Sequence, residues 1–98
     1  MHNNGKYLER NRQISGCPIC GYREFKAFDE KGLTTYDICP CCGNQSGHSY
    51  GEAVSEDRIL ALRRAWVSDK QGEWYSKSDR QPIGWSYKKQ LEEANMSI

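Results

Sequence analysis

Long apolar stretches are absent from this sequence of 98 residues. No window approaches the roughly 18 consecutive apolar residues that a transmembrane helix needs. The first six residues also lack the apolar centre of a secretory signal peptide. These absences predict a cytoplasmic protein that has no membrane partner.

A strong net charge is also missing, because the formal charge at pH 7 is +1. The chain therefore has no overall field that would attract nucleic acid or an anionic membrane surface. From residue 13 to residue 48 it carries three basic and four acidic side chains, a local net charge of −1. A segment with this balance is expected to bind phosphate groups poorly.

Enzyme signatures are missing as well. The sequence contains no nucleophile elbow, P-loop, His-Glu-x-x-His motif or dinucleotide fingerprint. Its two histidines, His2 and His48, stand in polar surroundings and are expected at the surface. We therefore expect no catalytic residues and no enzymatic activity.

Apolar residues are few, and the aromatic ones supply much of their surface area. Only 37% of the residues are hydrophobic, but three Trp, six Tyr and two Phe supply a large apolar area per residue. A chain this short buries a smaller share of its surface than a large protein does. The composition predicts a small aromatic core that needs an additional source of stability, such as a bound metal ion.

The cysteines form two short hooks, Cys-Pro-Ile-Cys-Gly at 17–21 and Cys-Pro-Cys-Cys-Gly at 39–43. The eighteen residues between Cys20 and Cys39 fit the spacing of a four-thiolate zinc site. Five cysteines, an odd number, in a chain without an export signal favour reduced thiols and metal over disulfides. The alternative, two redox-active thiol pairs, would require a βαβ context that the sequence does not show. The predicted metal ligands are Cys17, Cys20, Cys39 and Cys42.

The expected cofactor is one structural Zn²⁺ ion, with iron in a rubredoxin-type site as the alternative. Four protein ligands close the coordination sphere, so the ion is not expected to be catalytic. Four thiolates around one Zn²⁺ also add two negative charges to the segment. The fifth thiol, Cys41, is expected to point away from the metal as a small apolar residue. A redox role or a role as a substitute ligand is the other interpretation of Cys41.

The fold class predicted for the chain is small α+β. Residues 22–28 and 33–38 are rich in aromatic and β-branched side chains, and a turn signal, Asp-Glu-Lys-Gly, separates them at 29–32. The order of hook, β-hairpin and hook predicts a zinc ribbon over residues 16–50. A treble-clef arrangement is disfavoured because Gly43, Gly47 and Gly51 keep the chain irregular after the second hook.

The C-terminal part, residues 55–98, changes to a helical period. Apolar residues at i, i+3, i+4 and i+7 spacing predict an α-helix over 56–69 with Ser55 as its N-cap. An irregular segment bearing two Trp follows at 73–85, and Ser86 precedes a predicted helix over 87–95. We interpret residues 1–15 as a polar N-terminal arm and 16–98 as a single domain.

Several short motifs stand in a fixed order through residues 16–95. They read Cys-Pro-Ile-Cys-Gly-Tyr at 17–22, Tyr-Asp-Ile-Cys-Pro-Cys-Cys-Gly at 36–43, Ala-Trp-Val at 65–67, Trp-Tyr-Ser at 74–76, Pro-Ile-Gly-Trp at 82–85 and Gln-Leu at 90–91. Together they resemble a family of small bacterial cysteine-rich proteins with a CPCC hook, some of which occur in toxin and immunity neighbourhoods. The resemblance implies a metal-stapled fold. The chain departs from that family at 44–49, where it reads Asn-Gln-Ser-Gly-His-Ser instead of acidic and aromatic residues.

Two functional hypotheses follow. The first is a zinc-stapled module that binds another protein, and the resemblance makes an immunity protein that neutralises a bacterial toxin its most concrete form. The alternative is a nucleic-acid-binding zinc ribbon that uses Arg63, Arg64, Lys88 and Lys89. The candidate partner surface comprises Trp66, Trp74, Trp85, Arg63 and Arg64, although the three Trp are also the expected core of so small a domain.

Overall fold

The computed structural model of the protein describes residues 16–98, so the predicted N-terminal arm lies outside the described residues. The described chain contains two helices, which we label α1 (Glu56–Asp69) and α2 (Tyr87–Glu93). Residues 16–50 form turns and loops joined by four isolated β-bridges. None of the helices in the described range is long and apolar enough to cross a membrane.

The segment between the hooks contains the predicted turn but not the predicted extended strands. The N–H of Gly32 donates to the carbonyl of Asp29, and one antiparallel bridge joins Phe28 to Thr34. The carboxylate of Asp29 accepts hydrogen bonds from the N–H groups of Leu33 and Lys31, which lower its pKa.

The N–H groups of Asp29 and Thr35 donate to the carbonyls of Leu33 and Ala27 on either side of this bridge, so the N–H of Thr34 faces away from Phe28. The N–H and hydroxyl of Thr34 both donate to the Glu52 carboxylate at 2.9 Å, and these bonds lower the pKa of Glu52. Tyr36 then takes a left-handed φ of 64°, a conformation that no β-strand contains. This reversed residue ends the extended backbone soon after the bridge, which explains why the hairpin prediction fails as a pair of regular strands.

Helix α1 has the predicted bounds and the predicted cap. The Ser55 hydroxyl accepts a hydrogen bond from the N–H of Arg58, and two acidic residues occupy the first turn, where they suit the helix dipole. The buried residues Ile59, Arg63 and Trp66 recur at i, i+4 and i+7 and therefore lie on one face. Arg63 of that face donates hydrogen bonds to carbonyls of the first hook.

Helix α2 ends two residues earlier than predicted. Ser86 caps its N-terminus, and Leu91 is its buried residue. At its end the N–H of Met96 donates to the Leu91 carbonyl, and Asn95 takes a φ of 57°. This is a Schellman motif in which Asn fills the left-handed position that usually carries Gly.

The core lies around the cysteines rather than between the helices. Five of the thirteen buried apolar residues in the described chain are cysteines, and α1 and α2 contribute only three of the thirteen. The buried set is Cys17, Ile19, Cys20, Phe25, Ala27, Cys39, Cys41, Cys42, Tyr50, Val54, Ile59, Trp66 and Leu91.

Candidate metal centre

The two hooks have the same backbone hydrogen bonds. In the first, the N–H of Cys17 donates to the Tyr22 carbonyl at 3.0 Å and the N–H of Gly21 donates to the Cys17 carbonyl at 2.9 Å. In the second, the N–H of Cys39 donates to the carbonyl of Asn44 at 3.0 Å, and the N–H of Gly43 donates to that of Cys39 at 2.9 Å. Each hook is therefore a closed turn, which we call a knuckle: knuckle 1 at 17–22 and knuckle 2 at 39–44.

A glycine closes each knuckle because the backbone there turns left-handed. Gly21 has a φ of 84° and Gly43 a φ of 81°. Both also lie against other side chains, since a Cβ on Gly43 would come within 2.6 Å of the Tyr75 ring. The Cys-x-x-Cys-Gly pattern is thus required by local geometry.

The structure brings the four predicted ligands together. The Sγ atoms of Cys17 and Cys42 are 3.7 Å apart, as are those of Cys20 and Cys39. All four sulfurs lie within 4.8 Å of one another, and all four side chains are buried. A tetrahedral ion with Zn–S bonds of about 2.3 Å requires sulfurs about 3.8 Å apart. The four cysteines are therefore positioned to hold one metal ion, two from each knuckle.

The protonation chemistry of the cluster also suits a cation. Burial raises the pKa of the Cys17 and Cys20 thiols well above their ordinary value. The pKa of Cys42 is lowered instead, chiefly by its hydrogen bond with Cys17 and further by the Asn44 amide, which donates to its sulfur at 3.4 Å. Four buried sulfurs can all be thiolates only if a cation replaces their protons.

Arg63 of α1 holds the outer side of knuckle 1. Its guanidinium donates to the carbonyls of Ile19 at 2.7 Å and Pro18 at 2.9 Å, and to that of Ser97 at 2.9 Å. The side chain is buried. A positive charge thus lies on the backbone of a knuckle that would carry negative thiolates, and it satisfies carbonyls that would otherwise be desolvated.

The equivalent carbonyls of knuckle 2 are satisfied by main chain. The N–H of Tyr75 donates to the carbonyl of Cys41 at 2.9 Å, and the N–H of Ser76 donates to that of Pro40 at 2.8 Å. The irregular Trp-bearing segment is therefore hydrogen-bonded directly to the backbone of knuckle 2. A side chain and a backbone segment perform the same task at corresponding positions of the two knuckles.

Gln90 of α2 links both knuckles. Its amide N–H₂ donates to the carbonyl of Cys20 at 2.9 Å and to the sulfur of Cys41 at 3.4 Å, while its Oε1 accepts from the Trp85 indole at 2.8 Å. Cys41 is fully buried and does not belong to the four-sulfur group. The fifth thiol is a hydrogen-bond acceptor between elements, a role that the sequence did not indicate.

The residues of the candidate partner surface are divided between interior and exterior. Trp66 is 3% exposed and donates its indole N–H to the Glu73 carbonyl, and Arg63 is 8% exposed. Neither side chain is accessible to a partner. Trp66 belongs to the core, and Arg63 supports knuckle 1. Trp74 and Trp85 are half-buried, and Arg64 is exposed, as is His48.

The sequence analysis did not identify two residues that lie near the cluster or bond to the segment between the knuckles. Tyr50 is buried beside the cluster, and its hydroxyl has no hydrogen-bond partner within the described chain. Burial raises the pKa of this phenol, and the nearby Cys17 raises it further. Glu52, which fixes Thr34, was not identified either. No motif marks Glu52, because Thr34, its hydrogen-bond partner, lies 18 residues away in the sequence.

Comparisons of the chain with protein-family models, with curated proteins and with solved structures find no match.

Proposed function

We propose that the protein holds a single structural Zn²⁺ ion through Cys17, Cys20, Cys39 and Cys42, as a zinc ribbon in which a short turn replaces the regular hairpin. The observation that carries this proposal is the group of four buried sulfurs, which lie within 4.8 Å of one another. Soft thiolate donors in a closed tetrahedral set favour zinc, with iron as the competitor. The site has no free coordination position for a substrate, which supports a structural role rather than an enzymatic one.

We further propose that the stapled module acts by binding another protein. The chain is nearly neutral and carries charges of both signs, which suits protein recognition better than phosphate recognition. The sequence resemblance makes an immunity protein that neutralises a bacterial toxin the most concrete form of this proposal. The nucleic-acid alternative loses one of its four basic residues, because Arg63 is buried on knuckle 1.

Cobalt substitution tests the metal proposal. The Co²⁺-loaded protein should show the intense sulfur-to-metal charge-transfer bands of a four-thiolate tetrahedral site, and zinc analysis of the native protein should give one ion per chain. A spectrum with fewer than four thiolates, or iron in place of zinc, would contradict the proposal.

Two adjacent cysteines provide a matched pair of variants. Cys42→Ser removes a predicted ligand and should lower metal affinity and abolish the four-thiolate spectrum. Cys41→Ser leaves the four sulfurs in place and should retain about one ion per chain. The reverse result would overturn the ligand assignment.

A salt titration separates the two classes of partner. Binding to nonspecific DNA or RNA at micromolar concentration, with an affinity that collapses as salt rises, would favour the nucleic-acid alternative. Negligible binding at physiological salt is expected if the partner is a protein.

A further inference from the structure

Cys42 is the least shielded of the four cysteines that are positioned to hold the metal. It has a relative accessibility of 8%, whereas Cys17 has 1% and both Cys20 and Cys39 have 0%. The reaction of a cysteine with an oxidant depends on its thiolate character and on its exposure. Cysteines that bind a metal are all thiolates, so exposure is what separates Cys42 from the other three.

A cleft of about 170 Å³ reaches Cys42 from the side of α1, and we call it the knuckle cleft. Cys42, Gly43 and Asn44 of knuckle 2 form one wall, and the residues of α1 that line the other wall include Ala65 and Trp66. A water molecule takes up about 30 Å³ in the liquid. The knuckle cleft therefore has room for a molecule as small as hydrogen peroxide.

Asn44 connects the knuckle cleft to the sulfur itself. Its side-chain amide donates a hydrogen bond to the Sγ of Cys42 at 3.4 Å. Asn44 is only partly buried and lines the cleft together with Cys42. One polar side chain thus covers this sulfur on the side of the cleft. A hydrogen bond to a metal-bound thiolate also withdraws electron density from the sulfur, which makes it a weaker nucleophile.

A second sulfur lies next to that of Cys42. The Sγ of Cys17 is 3.7 Å away, and Cys17 belongs to the other knuckle. A disulfide has its sulfurs about 2.05 Å apart, so the two atoms need to approach each other by less than about 2 Å. Cys20 and Cys39 have the same spacing, but both are fully buried. The distances would allow either pair to be oxidised, and access favours the pair that contains Cys42.

We propose that Cys42 is a site of oxidation by hydrogen peroxide, and that a disulfide between Cys42 and Cys17 then opens the metal centre. This inference rests on the proposed four-thiolate metal site. The Cys42 thiolate attacks one peroxide oxygen, so that an S–O bond forms, the O–O bond breaks and hydroxide leaves. The product at Cys42 is a sulfenic acid.

The Cys17 thiolate completes the reaction. It attacks the Cys42 sulfur, so that an S–S bond forms, the S–O bond breaks and a second hydroxide leaves. In total, two thiolates and one hydrogen peroxide give one disulfide and two hydroxide ions. Two electrons pass from the sulfurs to the peroxide. The disulfide can be reduced by a thiol, whereas further oxidation of the sulfenic acid to a sulfinic acid is irreversible.

The disulfide removes half of the ligand set. Cys20 and Cys39 remain, one from each knuckle, whereas a structural zinc site uses four protein ligands. Oxidation at Cys42 is therefore expected to release the ion, and reduction is expected to restore the site. The centre would act as a reversible peroxide-sensitive switch of the module that it stabilises.

The test measures zinc release from the full-length, zinc-loaded protein. Hydrogen peroxide is added while a zinc-binding dye detects the free ion, and an alkylating reagent stops the reaction when half of the zinc is free. Trypsin cuts after Arg23, Lys26 and Lys31 and separates the two knuckles, so mass spectrometry can identify the linked cysteines. We expect a disulfide between Cys17 and Cys42, and we expect dithiothreitol to restore zinc binding.

Three variants that keep every cysteine test the route through the knuckle cleft. Asn44→Ala removes the amide that covers the sulfur and should speed up zinc release about fivefold, which is the equivalent of one hydrogen bond. Ala65→Leu places a larger side chain in the cleft and should slow the release. Ala61→Leu is the matched control, because Ala61 is exposed on the same helix one turn away and does not line the cleft. Its rate should equal that of the natural sequence.

Each unexpected result has a distinct meaning. A disulfide between Cys20 and Cys39, or one within a single knuckle, would overturn the assignment of Cys42 and Cys17. Equal rates in the three variants would overturn the route through the knuckle cleft. A zinc-loaded protein that retains its ion in peroxide would overturn the switch and leave the metal proposal standing. A protein that contains no zinc before treatment would overturn both.

Discussion

At the scale of single residues, Arg63 shows how the C-terminal half supports the metal centre. A guanidinium provides several N–H donors in a fixed plane, and here three of its contacts are backbone carbonyls of Pro18, Ile19 and Ser97. Hydrogen bonds from a charged donor are stronger than neutral ones. Pro18 and Ile19 are also buried, so their carbonyls have no water to replace the guanidinium.

Arg63→Met should therefore destabilise the zinc-loaded protein by about 3 kcal/mol, because two carbonyls of knuckle 1 lose their donors in a buried place. Arg64→Met is the matched control on the same helix. Arg64 is exposed and has a long contact of 3.4 Å with the Ile98 carbonyl, so its removal should cost less than about 0.5 kcal/mol. Urea denaturation followed by tryptophan fluorescence measures both. Equal losses in the two variants would contradict the supporting role of Arg63.

The cluster of four cysteines could be predicted from the sequence, but the residues that support it could not. Spacing within 17–20 and 39–42 is local, so the turn geometry that gathers the sulfurs is encoded where the cysteines stand. Arg63 and Gln90 instead donate to backbone carbonyls 44 and 70 residues away. Every residue has a carbonyl, so no sequence pattern identifies such partners.

At the scale of elements, the two knuckles and the two helices lie close to where local sequence patterns predict them. Ser55 and Ser86 both cap helices as predicted, because a cap depends on residues within one turn. The predicted hairpin is reduced to one antiparallel bridge because Tyr36, whose ring lies against Gly47, takes a left-handed φ of 64° immediately after Thr35. Tertiary contacts override strand propensity there.

The closing turn of knuckle 2 gives a prediction at this scale. Gly43→Ala places a Cβ 2.6 Å from the ring of Tyr75 and forces alanine to a φ of 81°. We expect a loss of about 1 to 2 kcal/mol in the free energy of unfolding, together with weaker metal retention, because Tyr75 also bonds to knuckle 2.

Gly51→Ala provides the control for this substitution. Gly51 has ordinary φ and open space around the Cβ position, so its replacement should be neutral or slightly stabilising. Thermal denaturation of the two zinc-loaded variants gives the comparison. A Gly43→Ala midpoint equal to that of Gly51→Ala would show that the knuckle tolerates a side chain.

At the scale of the whole molecule, the two halves share one source of stability. The helices supply only Ile59, Trp66 and Leu91 to the buried apolar set of the described chain, which is too few to stabilise them alone. Leu62, Val67 and Tyr87 of the helices pack on that set while only partly buried, and Arg63 and Gln90 bond the helices to the knuckles. The helical half is therefore expected to fold only when the knuckles are closed.

Removal of the metal should consequently unfold α1 as well as the knuckles. Zinc contributes roughly 10 to 16 kcal/mol of apparent binding energy in small structural sites, while a domain of this length has a net stability of about 5 to 15 kcal/mol. The binding energy lost on chelation is therefore comparable with the whole net stability of the domain. In amide hydrogen exchange, chelation should abolish the protection of Ile59 to Trp66 together with that of the knuckles. Added zinc should restore the protection and magnesium should not, because Mg²⁺ prefers oxygen ligands. Persistent protection of α1 after chelation would mean that the helical half folds independently, and that the contacts of Arg63 and Gln90 with the knuckles are a consequence of folding rather than its condition.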